Sequence, residues 1–141
     1  MLMECELSVK RGATLISGKR ISKMVSLDES LRLPSRIFIV ANVQMRGRVL
    51  LSEALWIESN VIVYGSTELG GESYIGSNSI IGFPNRKELQ DIISEKDMAG
   101  KLKKGEIVRL GNKVLFRSNC VVYSGVNVGN GVCFGHNVMM R

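Results

Sequence analysis

The sequence holds a single histidine, His136, one tryptophan, three tyrosines and three cysteines. Three cysteines leave one unpaired in any disulfide scheme, and Cys5, Cys120 and Cys133 show no CxxC spacing, so a reducing, cytoplasmic setting is expected. Cys133 and His136 form a Cys-x-x-His pair, but two such ligands do not make a metal site, and no metal is expected. The longest apolar stretches, such as "IFIVANV", are too short to span a bilayer. The opening "MLMECELSVKRG" lacks the apolar segment of a secretory signal, so no membrane partner is expected. GxSxG, GxxxxGK[ST] and a GxGxxG on a strand–helix unit are all missing, and the pair Gly70-Gly71 is explained by a chain corner.

The 141 residues carry a formal net charge of +6, spread along the chain rather than gathered in one block. With few aromatic residues and no basic helix, nucleic acid is not an expected partner; basic groups facing a phosphorylated small molecule fit better. The size suits one domain, residues 1–141, able to bury about 70% of the surface it would expose unfolded.

What the chain does have is a repeat. Read in sixes from Leu33, it runs LPSRIF, IVANVQ, MRGRVL, LSEALW, IESNVI, VYGSTE, LGGESY, IGSNSI, IGFPNR, and resumes at Leu110 with LGNKVL, FRSNCV, VYSGVN, VGNGVC, FGHNVM. Every first position is apolar. Fifth positions are aliphatic or small: Ile37, Val43, Val49, Leu55 and Val61, then Thr67, Ser73, Ser79 and Asn85, then Val114, Cys120, Val126, Val132 and Val138. That alternation is the signature of short strands with one buried side. Fourth positions are Asn or Gly in seven hexads (Asn42, Asn60, Asn78, Asn119, Gly125, Gly131, Asn137), residues that tolerate a positive φ. A corner every six residues, with no hairpin signals, predicts a parallel coil in which each turn buries its aliphatic stack on the next. Cys120 then points inward and Cys133 outward.

These hexads resemble the hexapeptide-repeat family. The resemblance implies an all-β fold, a left-handed parallel β-helix of triangular section with three hexads to a coil. It covers residues 33–86 and 110–141 and continues weakly through "ISKMVS" and "LDESLR". On this reading residues 1–26 form an N-terminal cap with weak repeats, 27–86 the first coils, 87–109 an inserted loop and 110–141 the final coils. Within the loop, "KELQDIISEKDM" places Leu89, Ile92 and Ile93 at helical spacing, and Gly100 and Gly105 flank the basic run Lys101, Lys103 and Lys104. Long insertions of this kind are often functional.

The "GHN" hexad "FGHNVM" and the "IGFPNRK" segment are similar to those of sugar-modifying acetyltransferases. The resemblance implies transfer of an acetyl group from acetyl-coenzyme A to a hydroxyl or amine of a sugar or nucleotide-sugar, in a homotrimer with clefts between subunits. His136 is then the general base, a task suited to a group that titrates near neutrality. Asn137 follows the motif and also reads as the corner residue. Ser118 and Tyr123 are candidates for substrate contact, and Arg86, Lys87 and Lys101 for the coenzyme A phosphates. If the insertion rejoins the coil on the next side of the prism, Ala41, Ser59, Ser77, Ser118 and His136 stack in one column, a shallow row of small residues ending in a base. The resemblance is to a form shortened at its C-terminus, with Phe134, Val138 and Met140 expected at an open apolar end. A non-catalytic trimeric scaffold is the alternative. The gamma-class carbonic anhydrases share the fold but need three zinc-binding histidines, which one histidine cannot supply.

Overall fold

The computed structural model describes the backbone of residues 14–16 and 19–21, and residues 31–94 and 106–141 in full. Among the described residues sixteen short strands and one helix follow in order: β1 (Thr14–Ile16), β2 (Lys19–Ile21), β3 (Ile37–Ile39), β4 (Gln44–Arg46), β5 (Val49–Leu51), β6 (Leu55–Ile57), β7 (Ile62–Tyr64), β8 (Thr67–Leu69), β9 (Ser73–Ile75), β10 (Ile80–Phe83), α1 (Arg86–Ser94), β11 (Val108–Leu110), β12 (Leu115–Phe116), β13 (Val121–Tyr123), β14 (Asn127–Val128), β15 (Cys133–Phe134) and β16 (Met139–Met140). They form three sheets: seven strands in the order β1-β2-β3-β6-β9-β12-β15, five as β16-β13-β10-β7-β4, and four as β14-β11-β8-β5.

Every third strand from β3 onward therefore lies on the same side, and the pairing is parallel throughout apart from β1 on β2. Ile39 pairs with Ile57, Ile57 with Ile75, Ile75 with Phe116, and Phe116 with Phe134. Three hexads make one coil, about five coils are stacked, and the fold is a parallel β-helix of triangular section. The expected stacking of hexads starting at 39, 57, 75, 116 and 134 is the observed register.

First and fifth positions supply the interior, as the alternation predicts. Ile39, Ile57, Ile75 and Phe116 are fully enclosed, with Val43, Val61 and Cys120 from the neighbouring corner. Each such aliphatic side chain is worth about 1.5–3 kcal/mol of burial, which is what holds one coil on the next. Three buried fifth positions are hydroxyls, and each finds a backbone partner. Thr67 Oγ1 donates to the Tyr64 carbonyl at 2.6 Å, and the Ser73 and Ser79 hydroxyls accept from Val114 N–H at 3.1 Å and Cys120 N–H at 3.2 Å. A hydroxyl left unbonded there would cost about 1–3 kcal/mol, so the pairing explains how the core admits it. Cys120 is buried and Cys133 exposed, in line with their repeat positions.

The corners follow the fourth positions. Asn42, Asn60, Asn78, Asn119 and Asn137 all have φ of 60–61°, and Gly125 and Gly131 are also left-handed. Ala54, Glu72 and Lys113 take the same conformation at another corner. The left-handed region disfavours most side chains, and Asn is the non-glycine residue that visits it at least cost.

The interruption of the coil differs in its limits from the 87–109 span that hexad counting gave. Ile81 is the last residue in unbroken register; the pairing shifts by one residue at Gly82 so that Phe83 meets Tyr123, and Val108 is already paired with Thr67 on β8. Asn85, counted as an inward fifth position, instead leaves the coil. Its Oδ1 accepts from Glu88 N–H at 2.9 Å while Glu88 Oε2 accepts from Asn85 N–H at 2.8 Å. This reciprocal capping starts α1, and Pro84, which lacks an N–H for the ladder, marks the departure. Ile92 is buried under α1, and Ser124 Oγ donates to Glu88, which ties the helix to the corner after β13. Lys101 and the rest of the basic run lie outside the described residues.

Candidate functional site

The corner between the seven- and five-stranded sheets carries the candidate site. Its stacked third positions are Ala41, Ser59, Ser77, Ser118 and His136. Each rung is tied to the next by one backbone bond: Asn60 N–H to Ala41 O at 3.0 Å, Asn78 N–H to Ser59 O at 3.1 Å, Asn119 N–H to Ser77 O at 2.9 Å, and Asn137 N–H to Ser118 O at 3.0 Å. The left-handed asparagines turn the chain at each rung, so the preceding side chain projects from the edge of the prism.

At the last of these rungs a side-chain contact forms. Ser118 Oγ and His136 Nδ1 lie 2.6 Å apart, a short hydrogen bond for this pair of atoms. His136 is exposed and Ser118 half-buried. Among the described residues Nε2 of His136 has no partner, so one ring nitrogen is held and the other is presented outward. A serine hydroxyl both donates and accepts. Nδ1 can therefore carry the proton and leave a lone pair on Nε2, or accept the hydroxyl proton itself.

Of the residues singled out in the sequence, Ser118 and Asn137 are brought to His136; Asn137 holds the corner with φ of 60°. Tyr123 lies at the far end of β13, edge-on to Phe83 at 5.6 Å and beneath the guanidinium of Arg141 at 5.3 Å. Arg86 and Lys87 are exposed at the start of α1, which leaves from that same far corner. Within one chain the width of the five-stranded sheet thus separates Arg86, Lys87 and Tyr123 from His136. Arg117, which hexad counting did not single out, is an exposed cation directly before Ser118. It takes a second position where the stacked residues of the neighbouring coils are Gly76 and Gly135. That contrast within one column was the available signal.

The outer surface of the five-stranded sheet, next to this corner, is largely apolar. Ile62, Ile80, Val121 and Met139 form one outward column, with Tyr64, Phe83 and Tyr123 beside it. Arg46 lies over Tyr64 at one end and Arg141 over Tyr123 at the other. The four-stranded sheet is polar by comparison, with Arg109 paired to Glu68 at 3.5 Å. A recess on that sheet, lined by Arg48, Leu50, Ser66, Thr67, Glu68 and Ile107, lies on a different side of the prism from His136. On the seven-stranded sheet Phe38, Trp56 and Tyr74 stack outward, and Trp56 Nε1 donates to Glu58 at 2.9 Å. Partial burial, with the Glu58 carboxylate beside it, pushes the Tyr74 hydroxyl above its ordinary pKa.

Among the described residues no three His, Cys, Asp or Glu side chains come together to hold a metal ion, and no helix is long and apolar enough to cross a membrane. Comparison of the chain with protein-family models, curated proteins and solved structures returned no match. The class defined by fold and register is a parallel β-helix built from hexapeptide repeats.

Proposed function

We propose that the chain is an acyltransferase subunit that moves an acetyl group from acetyl-coenzyme A to a hydroxyl or amine of a sugar or nucleotide-sugar. The observation that carries this reading is the Ser118–His136 contact on an exposed corner lined by small residues. In the tautomer where Nδ1–H donates to Ser118 Oγ, the Nε2 lone pair faces outward. It can take the acceptor's proton as the acceptor attacks the thioester carbonyl. Holding the ring in one orientation is what a general base needs, since a freely rotating imidazole spends most of its time misdirected.

The corner by itself is a ridge. The apolar surface of the adjoining five-stranded sheet supports assembly into a homotrimer, in which the ridge becomes one wall of a cleft between subunits. Arg117 beside Ser118, together with Arg86, Lys87 and Lys101 brought across from a neighbouring subunit, meets the coenzyme A phosphates. Calorimetric titration with coenzyme A and acetyl-coenzyme A, with light scattering on the same sample, tests this. Saturable binding to a trimer supports the reading, and a well-folded trimer that binds neither compound removes the donor.

The same apolar sheet favours a second reading, a non-catalytic trimeric scaffold. It requires assembly without binding of either coenzyme A compound, so one sample separates the two.

A further inference from the structure

We infer that Ser118 is itself a nucleophile and that the Ser118–His136 pair carries the acyl group as a serine ester between donor and acceptor. This rests on the acyl-transfer reading and deepens it, because transfer then takes two displacements rather than one.

A hydroxyl within hydrogen-bond reach of an imidazole nitrogen is the arrangement that activates serine. Here the separation is 2.6 Å. The pair is not brought together by a flexible loop. Asn137 N–H bonds the Ser118 carbonyl, Asn119 N–H bonds the Ser77 carbonyl, and Arg117 N–H bonds the Phe134 carbonyl at 3.2 Å, so both residues are fixed on consecutive coils. Along the column only this rung sets a serine against a base. Ser59 and Ser77 stack on Ala41, on each other and on Ser118.

Two further features suit the chemistry. The backbone N–H of Ser118 donates to no acceptor among the described residues, which leaves one donor on the nucleophile's own residue free to meet a developing oxyanion. Arg117 adds an exposed positive charge next to it. No carboxylate backs His136 among its described contacts. The imidazolium is instead solvated through its exposed Nε2–H, which makes this a dyad rather than a triad.

In the first displacement Ser118 Oγ bonds to the acyl carbon of a thioester or comparably activated ester. His136 Nδ1 takes the hydroxyl proton. The carbon–sulfur bond breaks, and the proton passes from His136 to the departing thiolate. In the second, an acceptor hydroxyl, amine or water attacks the serine ester and gives its proton to His136. Ser118 Oγ leaves and recovers a proton from the imidazolium. No oxidant or reductant is needed, and each bond formed is matched by one broken.

The test uses the full chain and p-nitrophenyl acetate, an activated ester that does not depend on the coenzyme A site. Rapid mixing follows nitrophenolate release, and peptide mass spectrometry locates the acetyl group. Hydroxylamine separates a labile serine ester from stable lysine amides. The expected result is a burst with acetyl on Ser118, absent in Ser118→Ala and slowed about a hundredfold in His136→Ala. Ser118→Cys, a substitution of similar size, should carry the group as a thioester. Circular dichroism checks that each variant keeps its β signature.

Acetyl on Ser118 with that dependence on His136 upholds the inference even if coenzyme A does not bind, in which case the donor assignment fails alone. Absence of acetyl from Ser118, or acylation of His136→Ala at the unaltered rate, overturns it. If acetyl-coenzyme A nevertheless binds and turns over, transfer is direct and the reading of the site as an acyltransferase stands without the serine intermediate.

Discussion

Phe134 lies nearly parallel to Phe116, with ring centroids 4.8 Å apart and planes inclined by 14°. Both occupy first positions on consecutive coils, yet Phe116 is fully enclosed and Phe134 is half-buried. Phe134, Val138 and Met140 pack against the core with Val126 and Val128, as partly covered members of it.

Phe116→Ala should therefore cost about 3–5 kcal/mol, the usual loss for deleting an enclosed ring. Phe134→Ala should cost less, because part of its surface is already in water. Urea unfolding of the two variants checks this. Equal losses would mean that another surface covers Phe134 in solution, which would itself point to assembly.

The repeat was legible in the sequence because each link in it has a physical cause that acts locally. Ile39, Ile57 and Ile75 alternate with outward residues, and Asn42, Asn60 and Asn78 mark corners that need a left-handed backbone. The stacking of Ser118 on His136 could be counted directly, since both lie in the uninterrupted run after the insertion, whereas setting Ser77 beside Ser118 required the coil to rejoin on the next side of the prism. Asn85 was not legible, because the residue types that turn a coil corner also cap a helix. Only Glu88 three residues on, read as its partner, separates the two roles. Arg117 was hidden for another reason: a second position alternates freely between Gly and outward side chains, so its meaning depends on what stacks beside it.

The corners give a reciprocal prediction. Asn78 has φ of 60° and Ala54 φ of 62°. Asn78→Ala should lose about 1 kcal/mol and Ala54→Asn should gain a similar amount, because alanine bears the left-handed strain that asparagine relieves. Denaturant midpoints of the two variants measure both signs. A loss at both positions would mean that side-chain contacts, rather than backbone conformation, set the preference.

Gly76 faces the coil that carries Ser118. A β-carbon there would lie 2.5 Å from the Arg117 carbonyl carbon and 2.7 Å from the Phe116 carbonyl oxygen, both backbone atoms that cannot swing aside. Gly76→Ala should destabilise by about 1–3 kcal/mol, as overpacking does. Gly135, stacked in the same column two coils on, has nothing within 4 Å of the corresponding point, and Gly135→Ala should be nearly neutral. Melting curves of the pair decide whether coil spacing is the constraint.

Acid sensitivity should be traceable to Glu53. Its carboxylate accepts from Ser35 Oγ at 2.6 Å, from Ser35 N–H at 3.0 Å and from Arg36 N–H at 3.1 Å. The Ser35 bonds above all hold its pKa below the ordinary 4.5. A carboxyl with a depressed folded-state pKa stabilises fully above its unfolded value. That contribution fades as pH falls from there through the lower folded-state pKa. Glu53→Gln should thus be less stable near neutrality, and the difference from the unmodified chain should shrink in acid. A gap that stays constant with pH would mean that these hydrogen bonds do not depend on ionisation.

Ser118→Ala and His136→Ala together distinguish the two routes of transfer. Both side chains project from a corner, and neither substitution opens the core, so stability should change by no more than about 0.5 kcal/mol. Any loss of acyl transfer then reports chemistry rather than folding. If His136 acts alone as base, its removal should cost about 10²–10⁴-fold in turnover, whereas Ser118→Ala removes only the bond that orients the ring and should cost far less. If Ser118 carries the acyl group, the two losses should be comparable, and the double variant should be little worse than either single one, because residues that act as a unit are not additive. Turnover of the two single variants and the double one, measured beside their unfolding curves, gives the answer. Losses that simply multiply would show two independent contributions and would leave the imidazole as the sole reacting group.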